Sequence, residues 1–286
     1  MKCRTLALVF LIAAGLGLGL IWTLKKSKSP TRVSAGAPPP FLGNGFVNRA
    51  NVCYQNAVMQ NLLHSRAMTK AIDSIQRPSP NPIANDLKRI FELYSEQIPG
   101  RLLTTADLRA SLSSRLGRYN NERPEDSAEF FTDLFTEIRD TSLAGVARVD
   151  QLRCLSCLER PSQFEYLIVV QNNGRQRLQQ LMENHATSCP NCPANELTVY
   201  RKYPDLLVIQ PQYGNAEASL RYPRELVLKR GRPDEQRFRL IGTVKHIRGH
   251  YVADILTDQG WIRFDDSKIK SSTATDRPQL LFYDSV

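Results

Sequence analysis

Apolar residues recur at i, i+3 and i+4 through four stretches between Cys53 and about Glu137: NAVMQNLLHS, IANDLKRIFELYSEQI, TADLRASLSSRL and SAEFFTDLFTEI. That spacing puts the apolar side chains on one face of a helix and predicts a helical half. From Phe164 the pattern changes to short apolar or alternating runs: FEYLIVV, LTVYRKY, LLVIQPQ, FRLIGTVKHI, HYVADIL, WIRFDD and QLLFYDS. These predict strands. Helices followed by mainly antiparallel strands predict an α+β fold.

One run fits neither half. Leu6 to Leu24, LALVFLIAAGLGLGLIWTL, carries no charge over 19 residues, about 28 Å as a helix and close to the thickness of a bilayer core. A cleaved signal peptide would have a shorter apolar region with a small-residue site soon after it, and Ala35-Gly36-Ala37 lies too far downstream. A core helix would carry polar positions at helical spacing, and this run has none. The expectation is a retained membrane anchor over residues 1–24. A basic, proline-rich tether follows over residues 25–41 (KKSKSPTRVSAGAPPPF), and a folded domain over residues 42–286.

Charge sharpens this division. The 286 residues carry a net charge of +10, but Lys2, Arg4, Lys25, Lys26, Lys28 and Arg32 sit in the first 32 residues without an acid, leaving +4 for the other 254. A general polyanion-binding surface is therefore not expected, and no nucleic-acid partner with it. Basic residues behind the apolar run outnumber those before it, which by the positive-inside rule keeps the domain in the cytosol. A reducing compartment also suits the cysteines described next.

Cys53 opens the first helical stretch, in GFVNRANVCYQNAVMQNLLHS. Unpaired N–H groups and the positive dipole end at a helix N-terminus favour a thiolate, and they can help to hold an oxyanion. Asn48, five residues upstream, adds a side-chain donor. Against this stands the commonest fate of a lone cysteine, a buried structural thiol. Of the four histidines, His64 and His185 lack a partner pattern, and His246 lies four residues before His250. His250 opens HYVADILTDQGWIRFDD, a hairpin with its turn at TDQG that returns Asp265 alongside it. A carboxylate so placed can orient an imidazole base. The bland alternative is a surface strand ending in an Asp-Asp pair.

Cys154-Leu-Ser-Cys157 and Cys189-Pro-Asn-Cys192 are two CxxC pairs separated by 31 residues. Four thiolates at that spacing can close one tetrahedral structural zinc site. A redox motif would need only one pair, and disulfides are not expected in a cytosolic domain. Cys3 lies in the apolar region, so Cys53 is the cysteine left for chemistry.

The stretch Gly45, Asn48, Asn51, Cys53, Tyr54, Asn56, Gln60 and Leu62 resembles the cysteine box of the ubiquitin-specific proteases, with Ala50 and Val52 where that family usually has Gly and Thr. Gly249, His250, Tyr251, Trp261, Phe264, Asp265 and Asp266 resemble its histidine box, and PQLLFYDSV resembles its closing strand. The resemblance covers about residues 42–286 and implies a papain-like fold with a helical thumb, an antiparallel palm and zinc-bearing fingers. It implies Cys53 as nucleophile, His250 as base, Asp265 as orienting carboxylate, Asn48 at the oxyanion, and Asp266 as a supporting residue.

In PEDSAEFFTDLF, an N-capped helix start, the resemblance gives Asp126 and Glu129 the task of pairing with arginines in the basic C-terminal tail of ubiquitin. Pro124 and Glu125 replace the usual glutamines. The segment between His246 and His250 is shorter than the family's blocking loop, which argues against regulation by that loop. The implied activity is thiol-dependent hydrolysis at the terminal glycine of ubiquitin on membrane-associated targets, with one structural zinc and no catalytic cofactor. An N-terminal anchor with basic flanks resembles the mitochondrial outer-membrane type, the endoplasmic reticulum being the alternative. Two rivals keep the fold: an inactive relative that only binds ubiquitin, and a protease for a ubiquitin-like modifier.

Overall fold

In the computed structural model, the described residues are 43–286 except 77, 121–122, 140–141, 152–163, 184–199, 230 and 275–276. The first helix, α1 (Cys53–Leu63), has Val52 as its N-cap, which brings no side-chain acceptor. Its first N–H groups are therefore not consumed by a cap. The next two helices start conventionally. Ser65 caps α2 (Arg66–Asp73) by accepting from Met68 N–H. Asn81 caps α3 (Pro82–Ser95), with Pro82 in the first turn, where a missing N–H costs nothing. Helix α4 (Ala106–Leu116) stops at Gly117, whose φ of 68° is a left-handed C-cap. Asp126 caps α5 (Ser127–Glu137). A short α6 (Ala144–Ala147) leads into the strands.

In chain order these are β1 (Val149–Gln151), β2 (Phe164–Glu165), β3 (Ile168–Asn172), β4 (Arg175–Arg177), then helix α7 (Leu178–Glu183), β5 (Tyr200–Lys202), β6 (Leu206–Tyr213), β7 (Ser219–Arg221), β8 (Glu225–Leu228), β9 (Gln236–Ile247), β10 (His250–Thr257), β11 (Gly260–Asp265), β12 (Lys268–Ser271) and β13 (Leu280–Ser285). The main sheet runs β12-β11-β10-β9-β13-β6-β3, with β8 added against β9. Every pairing in it is antiparallel except β3 with β6. A smaller sheet runs β2-β1-β5, and β4 pairs β7 as a parallel ribbon. The expected α+β class is what the described residues show.

Strand periodicity sorts the main sheet's side chains onto two cores. Leu280 and Phe282 of β13, with Leu206 and Val208 of β6, join the cluster formed with the helices. Their neighbours Leu281, Tyr283, Leu207 and Ile209 join a second cluster on the opposite face. A strand covered on both faces reads as a continuous apolar run, which is why QLLFYDS and LLVIQPQ were conspicuous. At the end of β13, Asp284 accepts from Ser65 Oγ and Arg66 N–H at 2.6 Å each, tying the start of α2 to the sheet. Burial raises its carboxyl above the usual range.

One expectation is corrected. The spacing after Cys53 predicts an amphipathic helix, yet all eleven residues of α1 are buried. Its polar side chains meet protein groups instead of water: Gln60 Nε2 donates to Asn44 C=O at 2.8 Å, and Asn61 Nδ2 to Ala57 C=O at 3.0 Å. Helix α1 thus lies sheathed between the helical half and the sheet, where each donated N–H exchanges a water partner for a protein one, while the amide oxygens of Gln60 and Asn61 are buried without a partner among the described residues.

Among the described residues no helix is long and apolar enough to cross a membrane. The anchor and tether expected over residues 1–41 lie outside the described residues, as do Cys154, Cys157, Cys189 and Cys192.

Candidate active site

The segment entering α1 turns sharply. Ala50 and Asn51 have φ of 64° and 56°, a left-handed pair that swings the chain into the helix at Cys53. Asparagine takes this conformation readily, whereas alanine pays about 1 kcal/mol for it. Asn48 spans the turn by accepting Val52 N–H on Oδ1 at 2.9 Å. Cys53 itself is 3% exposed.

On the other side of the cleft, β9 and β10 are joined by the two-residue turn Arg248-Gly249, with φ of 50° and 84°. Two positive φ values suit the twist of the hairpin they connect. No further residues separate the strands, in keeping with the short connection read from the sequence. The turn delivers His250 to the first position of β10. Strand β11 returns with Ala253 opposite Phe264, and His250 Nε2 lies 2.8 Å from Asp265 Oδ1. A carboxylate accepts only, so Nε2 carries the hydrogen and Nδ1 keeps the lone pair that can take a proton. His246 is elsewhere engaged, its ring stacked on Tyr251 at 4.6 Å.

The two halves meet at the sulfur. The main-chain N–H groups of Tyr251, Tyr54 and Cys53 itself lie near the Cys53 thiol and favour its thiolate. Two of these N–H groups belong to the uncapped start of α1, and the third is one residue beyond His250. Burial outweighs them and pushes the thiol up, with the negative charge of Asp266 adding to the rise. In the resting protein the sulfur is therefore protonated at neutral pH.

Asp266 holds the seam. Its Oδ2 accepts from Asn48 Nδ2 at 2.8 Å and its Oδ1 from Asn56 Nδ2 at 2.8 Å. Its own C=O accepts Phe46 N–H at 3.0 Å. Its Oδ2 is also 3.7 Å from His250 Nε2, against 2.8 Å for Asp265. Asp265 is thus the direct partner of the imidazole, and Asp266 orients the Asn48 amide. Asn48 uses one amide hydrogen on Asp266, which leaves the other for an oxygen developing negative charge beside Cys53. His250, Asp265 and Asp266 are spaced as three ligands of a cation might be. Both Asp266 oxygens, however, already face amide hydrogens, so the set is built for hydrogen bonding.

The two acids expected at the substrate tail share the first turn of α5. Asp126 Oδ1 accepts Ala128 N–H at 2.7 Å and Glu129 N–H at 3.1 Å, as an N-cap does. Glu129 is more exposed and pairs with Arg118 at 3.1 Å. The structure adds residues that sequence reading did not assign. Asn56 stood in the recognised box without a role, although its amide grips Asp266. The Tyr251 main-chain N–H and the Gln279 side chain left no sequence signal, because neither a backbone donor nor a lone glutamine marks a site.

A family model described as ubiquitin carboxyl-terminal hydrolase matches residues 44–283. Among solved structures, the SAGA DUB module Ubp8/Sgf11/Sus1/Sgf73 bound to monoubiquitin is similar with a TM-score of 0.63 at 17% identity, over 85% of this chain and 69% of that one. The same module bound to ubiquitin aldehyde gives 0.62 at 16% identity, over 85% and 69%. A yeast SAGA DUBm with a mutant Sgf73 gives 0.60 at 17% identity, over 85% and 68%. At such identities the likeness is one of fold. No curated protein matches the chain.

The charge of Asp266 makes a testable difference to the nucleophile. Alkylation of Cys53 by iodoacetamide should rise with a midpoint above the ordinary thiol value of 9.0, and Asp266→Asn should move that midpoint down by removing one of the causes that raise it. An unchanged midpoint in a folded variant would show that the carboxylate does not act on the sulfur.

Proposed function

Since this chain belongs to the ubiquitin carboxyl-terminal hydrolase family, we propose that it is a thiol deubiquitinase working through Cys53, His250 and Asp265 on membrane-associated conjugates. The observation that carries the reading is the convergence of three groups. His250 is held by Asp265 at 2.8 Å, on a strand that packs against the helix bearing Cys53, and the main chain of the next residue, Tyr251, lies near enough to the thiol to favour its thiolate.

His250 Nδ1 takes the thiol proton as the sulfur attacks the carbonyl carbon of the terminal glycine of ubiquitin. The C=O electron pair moves to oxygen, which the second Asn48 hydrogen and the α1 N–H groups hold. Collapse of this intermediate breaks the C–N bond. The lysine amine leaves with the proton from the imidazolium, and a thioester remains on Cys53. Water, deprotonated by His250, then attacks the thioester, releasing the ubiquitin carboxylate and restoring the thiol. Asp265 keeps Nε2–H in place throughout and favours the imidazolium that forms in between.

The reading includes one structural zinc ion on Cys154, Cys157, Cys189 and Cys192. Its support among the described residues is the small sheet. Gln151, three residues before the first CxxC, is the register partner of Tyr200, eight residues after the second, and β2 resumes on the other side of β1. The described residues flanking the two cysteine pairs are thus neighbours. It also includes membrane attachment through residues 6–24, with the domain in the cytosol and the mitochondrial outer membrane as the address. The support is the uncharged run and its basic flanks.

Three measurements test these proposals. Ubiquitin bearing a C-terminal electrophile should form an adduct with the full chain that Cys53→Ala abolishes, and His250→Ala should lower kcat by about 10²–10⁴-fold. A folded protein that never forms the adduct ends the hydrolase reading, and a preferred reaction with a ubiquitin-like modifier changes its substrate. Elemental analysis should find one zinc per chain, lost in the paired variant Cys154→Ser with Cys189→Ser; equal zinc in both would remove the assignment. Finally, residues 1–40 fused to a fluorescent protein should resist alkaline extraction from membranes and co-localise with mitochondria, whereas a diffuse signal would refute the anchor.

A further inference from the structure

Gln279 stands immediately before β13, and its main-chain N–H donates to Val244 C=O at 2.8 Å, so the sheet fixes where its side chain begins. That side chain reaches across to α5, where Nε2 donates to Asp126 Oδ2 at 2.6 Å. The other oxygen of the same carboxylate is occupied by the two N–H groups at the start of α5, at 2.7 and 3.1 Å. The remaining contact is the Tyr251 O–H, 3.4 Å from Oδ2. That is well beyond the 2.5–3.0 Å of a good O–H···O bond.

Counting acceptor sites gives an uneven result. A carboxylate offers about four lone-pair directions. Oδ1 has both of its own filled by backbone, and Oδ2 has one filled firmly by Gln279 and one held loosely by Tyr251. All of these donors are neutral, and no ion pair to Asp126 occurs among the described residues. Glu129, by contrast, shares Arg118 with Asp133. Of the two acids on this turn, Asp126 is the one with no cationic partner among the described residues, and it is held in a fixed orientation with one weakly used direction left on Oδ2.

We propose that Gln279 is a specificity-determining residue: by pinning Asp126 Oδ2 from the sheet side, it presents a single open acceptor direction to one N–H of an arginine in the basic tail of the substrate. The inference rests on the deubiquitinase reading and deepens it by naming what sets recognition of the tail. The pinning excludes fork-on-fork pairing, because a guanidinium arriving at Asp126 finds Oδ1 taken and half of Oδ2 taken. It displaces only the long Tyr251 contact. A neutral amide is suited to this task, since a lysine or arginine at position 279 would cancel the charge that the tail must meet.

The test is a cycle between Gln279→Leu and the tail charge, using the full chain and ubiquitin with a C-terminal fluorogenic leaving group. For the native tail, Gln279→Leu should raise KM about tenfold, the size of one charge-assisted hydrogen bond, with kcat changed less than twofold. For ubiquitin whose tail arginines are replaced by leucine, the same substitution should change KM less than twofold. A purely structural role predicts equal losses on both substrates, and that result, or no loss on either, overturns the proposal. Gln279→Met, which also lacks the donor but keeps the side-chain length, repeats the measurement should the leucine variant fold poorly. Kd values of the Cys53→Ala chain for the two ubiquitins, with and without the Gln279 change, give the same comparison without turnover. Failure of the hydrolase reading would show as an inert wild type, whereas failure of the Gln279 proposal shows as additivity in binding.

Discussion

The site depends on the grip of two amides on one carboxylate. Asn48 and Asn56 come from the start of the folded domain and Asp266 from its last quarter, 218 and 210 residues away, and both bonds are 2.8 Å. Phe46 N–H on Asp266 C=O closes the same seam through the backbone. Nothing else may come between the segments: a Cβ added at Gly45 would lie 2.6 Å from Asp266 O and 2.7 Å from Ser267 Cα. With Asp266 in place, the helix bearing the sulfur and the strand bearing the imidazole are held in register. The shared core and the Asp284 bonds to α2 hold the two halves together; Asp266 fixes how the segments beside the sulfur and the imidazole meet.

That arrangement sets two requirements against each other. A carboxylate near the Cys53 sulfur disfavours the thiolate, and so does burial, yet the Asn48 amide beside it is held by that same carboxylate. The protein accepts a sulfur that stays protonated at rest. Backbone N–H groups from Tyr251 and Tyr54 recover part of the difference. A protonated thiol is slow to alkylate or oxidise.

Much of this was legible in the sequence, for identifiable reasons. The residues expected to be catalytic were singled out by their resemblance to two family boxes, and the fold brings His250 and Asp265 to 2.8 Å of one another. The doubly covered strands β6 and β13 were found because they are apolar throughout. What escaped is equally instructive. Helix α1 reads as amphipathic, but its amides point at carbonyls supplied by distant segments that no local pattern reveals. Strand β12 is exposed along its whole length and rich in lysine, as edge strands often are, so it carries no alternation to detect. Gln279 is a single glutamine beside a proline, and its partner Asp126 lies 153 residues away. Side chains whose role is to hold another side chain leave no periodicity behind them.

The placement of β13 also bears on how the protein comes to be. Leu280–Ser285 follows every other described strand in chain order, yet it fills the middle of the main sheet between β9 and β6 and closes both cores. A nascent polypeptide still lacking those residues has a sheet split in two, with unpaired edges facing the gap. Domains generally complete folding as units, so a thiol protease built this way gains its working cleft only after translation has passed its final strand. Synthesis itself thus delays the appearance of proteolytic power until the whole domain has left the ribosome.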